Sequence, residues 1–286
     1  MDLRDVKYNE IVIDHKDGSS VIWVKMKAKS RQCFTLTMLL ELLDLLDKID
    51  QYGSPYVGVY GDIKYMVLES DNPEIFNSGG DLDYFHELVS TKDWDKLLEY
   101  GIGCIDLIHW ALSGGKREIT TISHVTGSAL GGGFEAALSC NYIFAEEQAV
   151  FAFPEALFGF FPGMGGYALL ERFTGVNKAD RAFSTGKRYS AKELDSHGAI
   201  YTLSKKGEGK QAIEDFINAR KSNENTHWAL QKIKQRMQNI DYETLKHSID
   251  LWVDTAKKLS AKDLRVMKIL TKRQQHKVQS PVKQAA

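Results

Sequence analysis

Two periods of apolar residues alternate along this chain, and they divide it into strands and helices. Residues 8–14 (YNEIVID) and 20–26 (SVIWVKM) are β-branched and aromatic runs on either side of HKDGS, a turn-rich spacer, and predict a hairpin. From 35 to 50 the period lengthens: Met38, Leu39, Leu42, Leu45, Leu46 and Ile49 fall on one face of a predicted amphipathic helix, with Asp and Glu on the other. A stripe of this kind serves either the core or a partner, and the core is the expected destination. Residues 64–69 (KYMVLE) predict a strand, 70–85 (SDNPEIFNSGGDLDYF) a polar loop, 94–112 a helix, and 119–125 a strand that leads into a glycine-rich segment. This succession is that of an α/β layered fold.

Beyond Gly166 the helical period dominates. Residues 178–185, 191–197, 210–220, 226–239, 242–259 and 261–275 predict helices, and only 199–203 resembles a strand. The expected organisation is a core over 1–190 carrying the active site, a helical region over 191–275, and a disordered tail over 276–286, where apolar periodicity is lost.

Composition narrows the partners. With 37 Lys and Arg against 38 Asp and Glu, the net charge of −1 provides no field to attract nucleic acid. Lys205, Lys206, Lys210, Lys272 and Arg273 read as solvated helix ends. Nothing approaches eighteen uninterrupted apolar residues, and MDLRDVKYNE lacks the apolar centre of a signal peptide, so a cytoplasmic protein without membrane insertion is expected. Cys33, Cys104 and Cys140 are too widely spaced for a zinc site or disulfide framework and predict buried free thiols; no metal is expected.

Chemistry concentrates between Ser123 and Gly166. Gly131, Gly132 and Gly133 lie between a strand and an apolar helical run, where unpaired N–H groups and the helix dipole make a site for negative charge. Phosphate and the oxygen of a polarised carbonyl both fit such a site, but GxGxxG and the P-loop Lys-Ser/Thr are absent. An oxyanion hole needs a second donor, and the loop Asn77–Asp81 is its natural source. Glu135 follows the triple glycine; Glu155 follows Pro154 in the apolar setting VFAFPEALFGFF, where burial favours the neutral acid that a proton donor requires. Taken singly, Glu135 also suits a charge complementing a helix dipole, and Glu155 a carboxylate paired with Arg or Lys. Together, beside an oxyanion site, they suit acid/base chemistry beside a polarised carbonyl.

The combined pattern GxxxGGGxE (Gly127 to Glu135), PExxxGxxPGxGG (Pro154 to Gly166) and the upstream FNSGGDL (Phe76 to Leu82) resembles the crotonase, or enoyl-CoA hydratase/isomerase, superfamily. That resemblance implies a spiral of ββα turns with a helical C-terminal trimerisation region, and a homotrimer or dimer of trimers. It also implies oxyanion donors at Gly80 and Gly132, and catalytic carboxyls at Glu135 and Glu155. For the acyl chain, Leu130, Phe134, Met164, Leu251 and Trp252 are candidate walls, with plain core packing as the alternative for each.

A narrower likeness spans most of the chain. The CFT segment (Cys33 to Thr35), FNSGGDL, AEEQAVFAFPE and LWVDTA (Leu251 to Ala256) are similar to the bacterial diffusible signal factor synthases. It implies dehydration of a medium-chain 3-hydroxyacyl group carried on acyl carrier protein, thioester hydrolysis, and release of a cis-2-unsaturated fatty acid used in quorum sensing. A sensor kinase is a further implied partner. No cofactor is implied beyond the phosphopantetheine of the carrier protein or CoA. An enoyl-CoA hydratase or isomerase working on CoA esters, and a non-catalytic binding protein of the same fold, are the competing readings.

Overall fold

The computed structural model describes residues 6–16, 19–27, 31–52 and 63–278, with side chains to 272. Strands β1 (Ile11–Asp14) and β2 (Val21–Met26) form the expected antiparallel hairpin, Ile11 opposite Met26. Strands β3 (Tyr65–Ser70), β5 (Thr120–Val125), β7 (Tyr142–Glu146) and β10 (Thr202–Ser204) then add in parallel, giving a six-stranded sheet ordered β1-β2-β3-β5-β7-β10. A second sheet holds β4 (Ile75–Asn77), β6 (Ser128–Leu130) and β8 (Val150–Ala152) in parallel, with β9 (Arg188–Ser190) antiparallel at its edge.

One unit recurs: a strand in the large sheet, a strand in the small sheet, then a helical segment. It is seen as β3–β4 followed by α2 (Leu82–Thr91), as β5–β6 followed by α4 (Gly132–Ser139), and as β7–β8 followed by a 3-10 turn (Pro154–Phe158) and α5 (Gly166–Thr174). Each repeat advances one strand in both sheets, so the chain winds as the expected ββα spiral. The inner strands of the large sheet are buried on both faces, which is why β3 reads YMVLES rather than alternating.

Helix α1 (Leu36–Tyr52) turns all six predicted stripe residues into the core, and Thr35 Oγ1 accepts from the Met38 amide at its start. Helix α3 (Trp94–Ser113) crosses α1 and α10 (Tyr242–Ala256). Gly101 permits this approach: a Cβ there would lie 2.9 Å from Ile249 Cγ2. The remaining helices are α6 (Val176–Thr185), α7 (Ala191–Ser196), α8 (Gly209–Arg220), α9 (Glu224–Met237) and α11 (Ala261–Val278).

Three expectations need correction. Residues 70–85 are not all loop: β4 lies within them, and α2 begins at Leu82, capped by Asp81, whose side chain accepts from the Asp83 and Tyr84 amides. The spiral core also passes residue 190, because β10 pairs with β7, and α8 lays Ile213, Phe216 and Ile217 against Trp23, Val67, Ile122 and Phe144. Helix α11 continues to Val278, into the stretch expected as tail; 279–286 lie outside the described residues. The three cysteines are buried and free. Among the described residues no helix is long and apolar enough to cross a membrane.

Candidate active site

Three chain segments leave neighbouring parallel strands of the small sheet at their C-terminal ends and meet over one cavity. Strand β4 leads into Ser78–Gly80, β6 into Gly131–Gly132, and β8 into Pro154–Glu155. Pairing of β4 with β6 and of β6 with β8 sets these ends side by side. The crevice beyond the carboxyl ends of parallel strands is where ligands bind in open α/β sheets.

The first segment is a shaped turn. Asn77 is fully buried, and its Oδ1 accepts from the Gly79 amide at 2.8 Å, closing an Asx turn that carries Gly79 to φ +91°. Backbone bonds then stitch it to the chain before α1: the Ser78 amide donates to Gln32 O at 2.7 Å, and the Phe34 amide to Gly79 O at 2.8 Å. A trans peptide points its C=O and N–H in opposite directions. With Gly79 O occupied by Phe34, the Gly80 N–H faces the other way, and among the described residues no acceptor pairs with it.

Gly131, at φ +53° and ψ −127°, turns the second segment into α4, leaving Gly132 as the first helical residue with no acceptor for its amide among the described residues. A Cβ built on Gly132 would lie 3.5 Å from Gly80 N and would also collide with Met164 Cε. The two amides therefore flank one small space, and only glycine at 132 leaves it open.

Glu135 is 1% exposed, and its Oε1 accepts from the Gly166 amide at 2.8 Å, the first residue of α5. Burial, reinforced by the Glu155 carboxylate, holds its pKa well above the usual carboxylate range, against the opposing pull of the Gly166 and Met164 amides. Glu155 is half-buried, its Oε2 is sealed from water without a hydrogen-bond partner, and burial pushes its pKa up to about 8. The alternative expected for Glu155 does not hold: no Arg or Lys pairs with it among the described residues. Its carboxylate presses on Gly131, where a side chain would strike Oε1.

The cavity has a volume of about 440 Å³ and contains Gly80, Gly132, Glu135 and Glu155 in its walls, together with Leu130, Met164 and Trp252. Two expected wall residues are elsewhere. Phe134 is fully buried and stacks on Phe153 at 4.7 Å, so it belongs to the core behind the site. Leu251 is 48% exposed on the far side of α10. Side chains missed from sequence include Phe85, Tyr100, Phe160 and Ile249. Trp252 packs on Phe85 and Phe160 at 5.0 and 5.3 Å, and its indole covers Gly163. Helical period marks such residues only as apolar and cannot separate a cavity wall from core. Among the described residues no cluster of His, Cys, Asp and Glu is placed to hold a metal ion.

A family model described as enoyl-CoA hydratase/isomerase matches residues 16–278. The chain belongs to that family. Among curated members it is 27% identical over 195 residues to a probable enoyl-CoA hydratase of Mycobacterium leprae (strain TN), covering 68% of each chain. It is 33% identical over 139 residues to a putative enoyl-CoA hydratase/isomerase of Bacillus subtilis (strain 168), covering 49% of this chain and 51% of the relative. The solved enoyl-CoA hydratase of Bacillus halodurans superposes with a TM-score of 0.77 at 16% identity, over 91% of this chain and all of that one. DspI of Pseudomonas aeruginosa gives 0.64 at 22% identity, over 83% of this chain and 84% of its own. At these identities the solved structures show the fold. Membership in the hydratase/isomerase family marks the chain as an enzyme of the hydratase kind and accounts for the crotonase spiral.

Proposed function

We propose that the site eliminates or adds water across C2–C3 of an acyl thioester. The observation that carries this reading is the juxtaposition of two carboxyls raised by burial with two amides, at 80 and 132, that have no acceptor among the described residues, in one apolar cavity. The thioester oxygen takes the Gly80 and Gly132 amides, which lowers the energy of the enolate-like state formed when the C2 proton leaves; one such donor is worth about 3 kcal/mol. One glutamate accepts that proton, the other gives its proton to the C3 hydroxyl, and water departs as the C3–O bond breaks. Raised pKa values suit this work, because a carboxyl that stays protonated near neutrality can donate.

The finer proposal is that the substrate is a medium-chain 3-hydroxyacyl group on acyl carrier protein, and that the product leaves as a free cis-2-unsaturated acid of the diffusible signal factor type. After dehydration, the same carboxylates activate a water that attacks the carbonyl carbon; the C–S bond breaks and the carrier thiol takes the proton. What supports the carrier protein is the segment Gln32 to Phe34, which departs from ordinary hydratases. Its backbone is committed to Ser78 and Gly79, and the Gln32 side chain to Met26 O and Ser70 Oγ. A homotrimer built through the helical C-terminal region belongs to the same proposal.

The second reading, an enoyl-CoA hydratase/isomerase acting on CoA esters, is favoured by the names of the curated relatives. Purified protein supplied with 3-hydroxydodecanoyl groups on either carrier separates the two. Free unsaturated acid from the acyl carrier protein thioester, detected by mass spectrometry, supports the synthase. Turnover of the CoA ester alone, with no free acid, leaves the hydratase.

A further inference from the structure

The amide of Gly80 can polarise a carbonyl only if its peptide plane is held, and beside the Phe34–Gly80 backbone bridge a side chain adds to the hold. Tyr100 reaches from α3 to the oxyanion turn, and its side chain is buried. Its hydroxyl donates to Phe34 O at 2.7 Å and lies 3.4 Å from the Asp81 amide, close enough to accept from it. The same oxygen sits 3.4 Å from where a Cβ on Gly80 would be. Gly80 is thus bracketed: the peptide before it is fixed by the Phe34 amide on Gly79 O, and the peptide after it by Tyr100.

Phe34 serves both brackets, its amide on one side and its carbonyl, through Tyr100, on the other. We propose that Tyr100 is a positioning residue for the reaction, its hydroxyl tying Phe34 to Asp81 so that the Gly80 amide stays aimed at the thioester oxygen. Tyr100 transfers no proton to substrate in this role. Burial, with neighbouring thiols and Asp81 adding to it, keeps its phenol protonated well above its ordinary range, so the clamp persists across working pH. The inference rests on the thioester reading of the site.

The test is Tyr100→Phe, which removes one oxygen from a buried ring. The expected result is a fall in kcat of about 10- to 30-fold, below the 10²–10³ of a lost donor because the amide is misaimed rather than absent. KM for a 2-enoyl thioester should stay within about twofold, because the acyl chain still binds apolar walls. A bound p-dimethylaminocinnamoyl thioester supplies the decisive readout: its absorption moves to longer wavelength as the carbonyl is polarised, and the variant should show a smaller displacement at saturation.

Tyr242→Phe is the matched control, since its hydroxyl bonds Asp106 at 2.7 Å away from the turn; it should leave the displacement intact even if it lowers stability. Rates are normalised to probe-binding sites, so a partly unfolded preparation does not imitate the effect. Wild-type kcat and displacement in Tyr100→Phe, or equal losses in Tyr242→Phe, overturn the inference alone. A wild type that neither turns over a thioester nor displaces the probe spectrum overturns the proposed function and the inference with it.

Discussion

Replacing Glu155 by Gln should make the folded protein more stable as pH rises, by an amount fixed by the burial of this carboxyl. In the unfolded chain the group ionises near 4.5, and in the folded protein near 8. Between those values the unfolded state has lost the proton and the folded state keeps it, so wild-type stability falls with rising pH; above about 8 both states are ionised and the loss stops. At pH 7 the interval above 4.5 is about 2.5 pH units, worth about 1.4 kcal/mol each. Because Glu155 is half-buried rather than sealed throughout, about 2–3 kcal/mol is expected at pH 7, rising to about 3–4 above pH 8 and vanishing near pH 4.5. Glutamine has almost the same shape and cannot ionise. Its unpaired amide costs a constant amount, so the slope of the stability difference with pH is the observable. Urea unfolding of both proteins at one protein concentration and at pH 5, 7 and 8.5 measures it. A difference that is flat over this range refutes the account of Glu155 as a carboxyl kept neutral by burial. The same variant should lose 10²–10⁴-fold in dehydration rate, about the worth of a positioned acid or base.

Gly132→Ala should lower kcat/KM about 10²–10³-fold while preserving the fold, because its methyl fills the space beside Gly80 N and is otherwise opposed only by the movable end of Met164; circular dichroism with steady-state kinetics checks both halves. The wild-type rate should decline above about pH 8 as Glu155 loses its proton, and a pH–rate profile flat to pH 9.5 would remove Glu155 as the proton donor. Gly101→Val should destabilise by about 1–3 kcal/mol through overpacking on Ile249, and combining it with Ile249→Ala should recover part of that loss in thermal unfolding. Trp252→Ala should destabilise by about 3 kcal/mol by opening the Phe85–Phe160–Trp252 cluster, and shift preference toward longer acyl chains in a competition of thioesters.

The parts of the site that were legible in the sequence are those whose chemistry demands an unusual local backbone. Gly131 at φ +53° and Gly79 at φ +91° need glycine, and Pro154 starts the 3-10 turn that carries Glu155, so each leaves a mark that needs no tertiary knowledge. The acyl walls leave none. In the sequence Phe134 and Leu251 are candidate walls with plain core packing as the alternative, and successive helical residues diverge by about 100°. Thus Glu135 faces the cavity while Phe134 faces Phe153, and Trp252 faces it while Leu251 meets solvent. Helix α2 had a readable start, Asp81 ahead of Leu82, Phe85, Leu88 and Val89, and was obscured by the polar residues before it. Tyr100 was unreadable in principle, because its partner Phe34 lies 66 residues away and the two meet only through the winding of the spiral.

That winding also explains how two raised carboxyls persist in one cavity. A carboxyl kept above its normal pKa destabilises the fold near neutrality, and relaxation would ordinarily find it water or a cation. Here each is held by backbone that cannot relax alone. Glu135 sits on the first turn of α4, whose start is fixed by the Gly131 amide on Ala152 O at 2.9 Å, a bond to the strand end that delivers Glu155. Glu155 sits in a 3-10 turn closed by Gly159 at φ +69°, with its carboxyl confined against Gly131. Moving either carboxyl toward solvent would pull β6 from β8, and β8 carries Phe151 against the buried aromatic cluster of Phe134 and Phe153. Burying a large apolar side chain is worth about 1.5–3 kcal/mol, so the three rings of Phe134, Phe151 and Phe153 together outweigh the ionisation penalty of Glu155 near pH 7. The strain of the acid pair is thus offset by the core beneath the small sheet, and the site keeps its proton donor because the spiral cannot release it.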